Sequence, residues 1–301
     1  MSASSNAAGI RTMIAATFVF ALQDGLSRHL VEFYNVFFVV MIRYWFFAAF
    51  VIFLGVRRAG GLRRAAASRR PWLQASRGLL LATEICVMVY GFVLLGLIES
   101  HAVFACYPLI IAALSGPVLG ERAGWRRWLA IGVGFLGVLV ILRPGVAVVS
   151  PAAAIPLLAA FMFGLYGVLT RLAARSDPPE VSFFWTGTTG AVAMTIVGVW
   201  HVEPMVGADA ALMALLCVTG VLGHWLLIRA YDLAEASTVQ PFTYFQLVFA
   251  AAFGILVFGE ALETPVALGA ALIVAAGLFT LWRERRAARR VSSPRPEATG
   301  G

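Results

Sequence analysis

Runs of about twenty apolar residues, separated by short polar links, recur from near the N-terminus to residue 282. At a rise of about 1.5 Å per residue, ~20 residues cross the ~30 Å hydrocarbon core of a bilayer, so each run predicts a membrane-spanning helix. Ten are predicted, at roughly 11–30, 35–56, 75–96, 100–119, 126–143, 151–172, 181–200, 210–229, 237–258 and 265–282. The first is broken by Gln23-Asp24 and carries no convincing cleavage site, which predicts a retained span and not a signal peptide. The two longest links hold Arg57, Arg58, Arg63, Arg64, Arg69 and Arg70 after the second span, and His201 to Asp209 after the seventh.

Composition excludes a soluble domain. The 301 residues are 61% hydrophobic and 13% charged, with a mean hydropathy of +0.88, whereas soluble domains are about half apolar and a quarter charged. The net charge of +8 does not point to nucleic acid, because the basic residues, all arginine, gather in particular loops and in the tail. With ten spans, the six-Arg link, Arg122, Arg126, Arg127, Arg175 and the tail from Arg283 to Arg295 fall on one side. Arg28, Arg143 and the acidic Glu203, Asp209 and Glu263 fall on the other. The positive-inside rule then places both termini in the cytoplasm, and an eight- or nine-span count would scatter arginine over both faces. Cys86, Cys106 and Cys217 all lie inside apolar runs with no metal-ligand spacing. Neither a disulfide, a metal nor a cofactor is expected.

The chain also echoes itself. Residues 18–28, FVFALQDGLSR, align without gaps on 161–171, FMFGLYGVLTR, with Phe18, Phe20, Leu22, Leu26 and Arg28 matched identically and Ser27 matched by Thr170. Gly120-Glu121 recurs as Gly259-Glu260, each after an apolar run that begins with a proline and a tyrosine. Two five-span halves follow, about 10–145 and 150–285, with an Arg-rich cytoplasmic tail at 286–301 expected to be disordered. Five is odd, so the halves insert with opposite topology, an arrangement that puts a binding site near the midplane where they meet.

The order of ten spans, Arg43 within FFVVMIRYWF and the paired Gly-Glu links resemble the drug/metabolite transporter superfamily and, within it, the ten-helix EamA-domain exporters. The resemblance covers the chain before its tail. It implies an all-α integral membrane fold in which two inverted repeats enclose a central cavity, in a bacterial inner membrane. It also implies transport of amino acids, S-adenosylmethionine, riboflavin, nucleobases or related metabolites, with export expected ahead of import.

Charges inside a bilayer are costly, so each needs a partner, a wet cavity or an interface. Asp24 and Gln23 in the first span, Arg43 in the second and Glu84 in the third are the polar groups to explain. Arg43 is expected to form a structural ion pair with Asp24 or Glu84, leaving the other carboxylate to face substrate or a proton. Glu84 is assigned to the cavity, because its helix neighbours offer no partner. Gln240 and Tyr244 share a helix face beside Pro241, which loosens its helix, and Tyr107-Pro108 sits similarly in the fourth span. Tyr166, His224 and, less so, Trp185 complete the candidate substrate-binding set. Arg28 and Arg171 are read as snorkelling to headgroups, and Glu121 and Glu260 as structural carboxylates at the N-terminus of the following span. Gly116 and Gly120 offer a small face for helix packing. Spans five and ten, almost free of polar residues, are expected against lipid or a second copy of the chain, as monomer or homodimer.

No nucleotide-binding loop is present and the links are too short for an ATPase, so energy must come from a gradient, protons included, or from exchange. A membrane enzyme acting on lipid would need DxxD, HExxH or a Ser/His/Asp group near an interface, and the loops have none. A scaffold without transport would leave Asp24, Arg43 and Glu84 with packing roles only.

Overall fold

A computed structural model describes residues 3–58, 61–120, 124–142, 152, 154–234 and 239–292. Among them the chain is helical and holds no strand. The long helices are α1 (Ala3–Phe33), α2 (Val36–Arg58), α3 (Pro71–Phe104), α4 (Tyr107–Leu119), α5 (Trp125–Leu142), α6 (Ala154–Ala173), α7 (Pro179–Gly198), α8 (Gly207–Leu233), α9 (Phe245–Phe258) and α10 (Thr264–Ser292). Seven stretches among the described residues are long and apolar enough to cross a membrane: those of α2, α3, α6, α7, α8, α10 and Pro241–Phe258. Helices α4 and α5 are apolar but shorter. Phe53, Leu136, Val192, Ile196 and Leu256 are all exposed, which suits a surface turned to hydrocarbon. The protein is an integral membrane protein.

Helix ends follow local chemistry. Gly120 and Gly259 terminate α4 and α9 in the left-handed region, at φ 75° and 66°, where a Cβ would be strained. Prolines open α3, α4 and α7, where the missing N–H costs nothing. Pro108 therefore starts a helix, after a turn at Ala105-Cys106, and does not bend one as the sequence suggested. Pro241 does loosen its segment, since Gln240–Tyr244 is a 3-10 stretch leading into α9.

The predicted boundary near residue 96 has a sharper form than expected. Helix α3 is broken at Gly96, with φ 81° and ψ 175°, and resumes as a short half-helix from Leu97 to Phe104. The predicted fourth span thus comprises this half-helix, a turn and α4. At the other terminus, α10 continues through Ser292, so residues 286–292 are helical; residues 293–301 lie outside the described residues.

Packing pairs the helices across the chain. Helix α1 packs on α8 and α9, α6 packs on α3 and α4, α2 packs on α7, and α3 also packs on α7. Helices α5 and α10 pack on each other, not only on lipid as expected. Their seam is built on glycine: a Cβ on Gly137 would lie 2.7 Å from the Gly269 carbonyl oxygen. Without a hydrophobic drive between helices in lipid, such close backbone approach supplies the packing energy.

The links define two ends. At one end Tyr34 donates to Asp209 at 2.8 Å, the Asn35 N–H donates to Glu203 at 3.1 Å, and Glu260 meets Arg28. At the other, Trp185 Nε1 donates to the Ala66 carbonyl at 3.1 Å, Arg175 donates to the Leu119 carbonyl at 2.9 Å, and Asp177 binds the segment 68–69. These are the Tyr34 end and the Asp177 end below.

Candidate functional site

Between the two ends, α2, α3 and α8 enclose a cavity of about 30 Å³, lined by Arg43, Tyr44, Phe47, Leu81, Ile85, Cys217, Gly220, Val221 and His224. It is the volume of about one water. Gly220 makes the space: a Cβ there would lie 3.3 Å from Gln23 Oε1 and 3.8 Å from Arg43 Nε. Gln23, brought in by α1, is therefore at the cavity edge, next to Arg43.

The polar groups here have bonding capacity to spare. Gln23 Oε1 and the Tyr44 hydroxyl are buried without a hydrogen-bond partner among the described residues. His224 Nδ1 lies 2.9 Å from the Gly220 carbonyl, an acceptor, so the hydrogen sits on Nδ1 and Nε2 is the accepting nitrogen of the neutral ring. Phe20, at 5.4 Å and edge-on, and Phe47, at 5.6 Å, fix that ring. Glu84 is buried, at 4% exposure, with Asp24 and Arg43 as the charges acting on it. Buried polar groups are ordinarily bonded, so a cluster with unmet capacity around one cavity marks a place for a polar guest.

The expected Arg43 ion pair is not formed: among the described residues no carboxylate lies within 4.0 Å of its guanidinium. Asp24 is engaged elsewhere, accepting from Gln246 Nε2 at 3.0 Å and meeting His101 Nε2 at 3.0 Å. The reason is position, since Asp24 and His101 are brought together by the half-helix that the Gly96 break creates.

Three candidate residues do not line the cavity. The Tyr166 hydroxyl accepts from Arg77 at 3.0 Å. Tyr107 packs edge-on against Phe163 at 4.9 Å. Tyr244 lies over Gly277 of α10, its buried hydroxyl unpartnered among the described residues. The side chain of Gln240 lies outside the described residues, as does Glu121. Trp185 is tied to the Ala66 carbonyl.

Two polar networks close the ends. At the Tyr34 end Arg28 does not reach for headgroups; its guanidinium pairs with Glu260 and sits 4.0 Å over the Phe258 ring. Glu260 in turn accepts from the backbone N–H groups of Leu97 and Ile98, so it caps the half-helix and not the following span. At the Asp177 end Arg77, 1% exposed, donates to Gln74, Tyr166, Thr170, the Ser182 carbonyl and Thr186. Gln74 Nε2 passes the network on to Asp177 at 2.9 Å. Burial alone would raise the Asp177 carboxyl, but donors from Gln74, Ser68 and the Arg69 N–H outweigh it and hold the group below the usual carboxylate range. Sequence reading passed over Arg77, His101 and Gln246. The available signals were Arg77 three residues inside the third predicted span and the polar run Glu99-Ser100-His101 at the start of the fourth.

A bundle of apolar helices with a small, largely apolar cavity into which Arg43 and His224 reach, and with a polar network at each end, fits a membrane carrier. The family model described as the EamA-like transporter family matches the chain twice, over residues 7–143 and 151–282, and the chain belongs to that family. It is 24% identical to an S-adenosylmethionine uptake transporter of Rickettsia prowazekii, over 92% of this chain and 94% of the relative. It is 31% identical to a riboflavin transporter of Rhizobium johnstonii over 73% of each, and 26% identical to a pseudopaline exporter of Pseudomonas aeruginosa over 89% of this chain and 94% of the relative. The chain is a transporter of small metabolites.

Proposed function

We propose that the protein carries a small polar metabolite, an amino acid or related compound, across the bacterial inner membrane by alternating access between two inverted five-helix halves, 10–145 and 150–285. The observation that carries this reading is the pair of buried, unpartnered polar atoms, Gln23 Oε1 and the Tyr44 hydroxyl, beside a cavity that Arg43 and His224 also line. At about 30 Å³ the cavity admits no metabolite in this conformation, so the reading takes it as a closed state that opens toward either end.

The inverted halves are supported by the twofold family match and by the packing. Exchanging each helix with the fifth after it turns α1–α8 into α6–α3, turns α1–α9 into α6–α4, and leaves α2–α7 and α5–α10 unchanged. All of these pairs are in contact. Ten spans then include α1, α4 and α5. The Asp177 end carries Arg63, Arg64, Arg69, Arg70 and Arg175, and the Tyr34 end carries Glu203, Asp209 and Glu260. That asymmetry supports a cytoplasmic Asp177 end and cytoplasmic termini. A carrier of this kind runs with whatever gradient drives it. Export is the leading direction, and uptake of S-adenosylmethionine or riboflavin is the second reading, favoured by the names of two relatives.

The test is flux in proteoliposomes with labelled amino acids, S-adenosylmethionine and riboflavin, for the native chain, Arg43→Gln and Glu84→Gln. Saturable flux of one solute, lost in both variants while they stay folded, is the expected result. Flux that persists in both would remove the cavity from the path.

A further inference from the structure

The link between α2 and α3 is basic and held in place. It joins two stretches long and apolar enough to cross a membrane, Val36–Arg57 and Pro71–Phe104, so its residues stand at the depth of the lipid headgroups. Contacts along its length fix the backbone. The Gly61 N–H donates to the Gly55 carbonyl at 3.3 Å. Ala65, in the single helical turn Leu62–Ala65, sits on Gly55 of α2, where an added Cβ would come within 3.1 Å of it. Trp185 of α7 donates to the Ala66 carbonyl at 3.1 Å, and the Arg69 N–H donates to Asp177 Oδ1 at 2.8 Å.

The charges carried on this backbone are not neutralised within the protein. Arg57, Arg63, Arg64, Arg69 and Arg70 are exposed, and among the described residues no carboxylate lies within 4.0 Å of their guanidinium groups. Asp177 is spent on the link's backbone and its neighbours: Oδ1 accepts from the Arg69 N–H, and Oδ2 from the Ser68 hydroxyl and Gln74 Nε2. The Arg69 charge acts on it from beyond ion-pair range. Glu180, exposed in the first turn of α7, is also outside that range. Apolar groups flank the charges. Leu62 is 45% exposed and Trp72, at the start of α3, 84%. The Arg57 guanidinium lies 4.8 Å over the exposed Phe53 ring.

We propose that Arg57 and residues 61–72 form a binding surface for anionic phospholipid, in which the guanidinium groups take headgroup phosphates while Leu62 and Trp72 enter the interface beside them. Guanidinium forks match phosphate oxygens, and tryptophan seats at headgroup level. A free anion would account for the arginines alone; a leaflet accounts for the exposed apolar groups as well. The link is already ordered, so little conformational entropy is lost when lipid binds. Through Trp185 and Asp177 the same surface touches α7, so bound lipid braces the ends of α2, α3 and α7 together.

The test is independent of transport, so its failure leaves the carrier reading untouched. Full-length protein is placed in nanodiscs of mixed phosphatidylcholine and phosphatidylglycerol with a trace of photoactivatable phosphatidylglycerol or photoactivatable phosphatidylcholine, and the cross-linked residues are mapped. The phosphatidylglycerol probe is expected to label residues 61–72 in preference to the phosphatidylcholine probe. That preference should vanish at about 1 M salt, where charges are screened beyond about 3 Å. An arginine near an anionic surface is worth about fivefold in binding, so replacing Arg63, Arg64, Arg69 and Arg70 by Gln should lower the preferential labelling by at least about tenfold. Arg63→Gln with Arg64→Gln, away from the Asp177 contacts, gives the same reading if the fourfold variant fails to fold. Equal labelling by the two probes would overturn the proposal. So would a preference that survives both sets of replacements, or one lost on replacing Arg285, Arg286, Arg289 and Arg290 of the tail instead. Loss of the preference to inorganic phosphate at matched ionic strength would also overturn it, by making the surface a site for the free anion.

Discussion

Glu260, in the link after α9, caps a helix that begins 163 residues earlier: its Oε1 lies 2.8 Å from the Leu97 N–H nitrogen and its Oε2 lies 2.9 Å from that of Ile98. The broken α3 leaves backbone donors without helical partners, and a carboxylate is the strongest acceptor for them. Glu260→Ala leaves both donors unsatisfied and Arg28 with Glu32, 3.6 Å away, as its remaining carboxylate. At about 1–3 kcal/mol for each orphaned group, a clear fall in thermal stability is expected in detergent-solubilised protein. Gly96→Ala should act at the same spot by another route, since its φ is 81° and the added Cβ would lie 2.6 Å from Glu260 Oε1. A melting temperature unchanged by both substitutions would contradict the capping role.

Arg77 has a different dependence. Its guanidinium is buried among neutral oxygens, with the nearest compensating charge, Asp177, one glutamine away. Lysine keeps the charge but offers a point donor in place of a planar fork. Arg77→Lys should therefore lose several of these bonds at once and destabilise by at least about 2 kcal/mol, read as a lower chemical-denaturation midpoint. Tyr166→Phe removes one neutral acceptor and should cost about 1 kcal/mol.

The Asp177 carboxyl is held below its ordinary range in the folded protein, so its contribution has a definite sign with pH. Below the usual carboxylate value of about 4 the unfolded chain takes up the proton before the folded one does. The stabilisation is therefore complete above that value and is lost as pH falls through it and on to the lower folded value. Melting curves from neutral to acid pH should show an acid-side loss that Asp177→Asn removes. The asparagine variant should be the less stable of the two at neutral pH.

The seam of α5 and α10 tolerates little added volume. Gly137→Val places its Cβ against the Gly269 carbonyl, 2.7 Å away, and its branches against Ile273 and Leu272. Overpacking of this kind costs about 1–3 kcal/mol, and backbone cannot move aside as a side chain does. The expected outcome is a lower melting temperature with no change in the helical circular-dichroism signal, whereas Gly132→Ala, with open space around it, should behave as native.

Much of the molecule was legible along the chain because a bilayer makes strong demands. Every backbone group must be bonded within its own helix, so length and hydropathy alone pick out most helices. Glycine and proline punctuate their ends for local reasons, as at Gly120, Gly259, Pro71 and Pro179. Gln23, Arg43, Glu84 and His224 stood out along the chain as polar groups at membrane depth, where such groups need a partner or a cavity. What only the tertiary structure decided is who partners whom. Asp24 chose His101 and not Arg43 because a single positive-φ glycine breaks α3 and swings a half-helix to α1. Tyr166 went to Arg77, and Glu260 reached back to Leu97 and Ile98. Such choices depend on which faces of distant helices meet, and helical periodicity fixes the faces of one helix without fixing its neighbour.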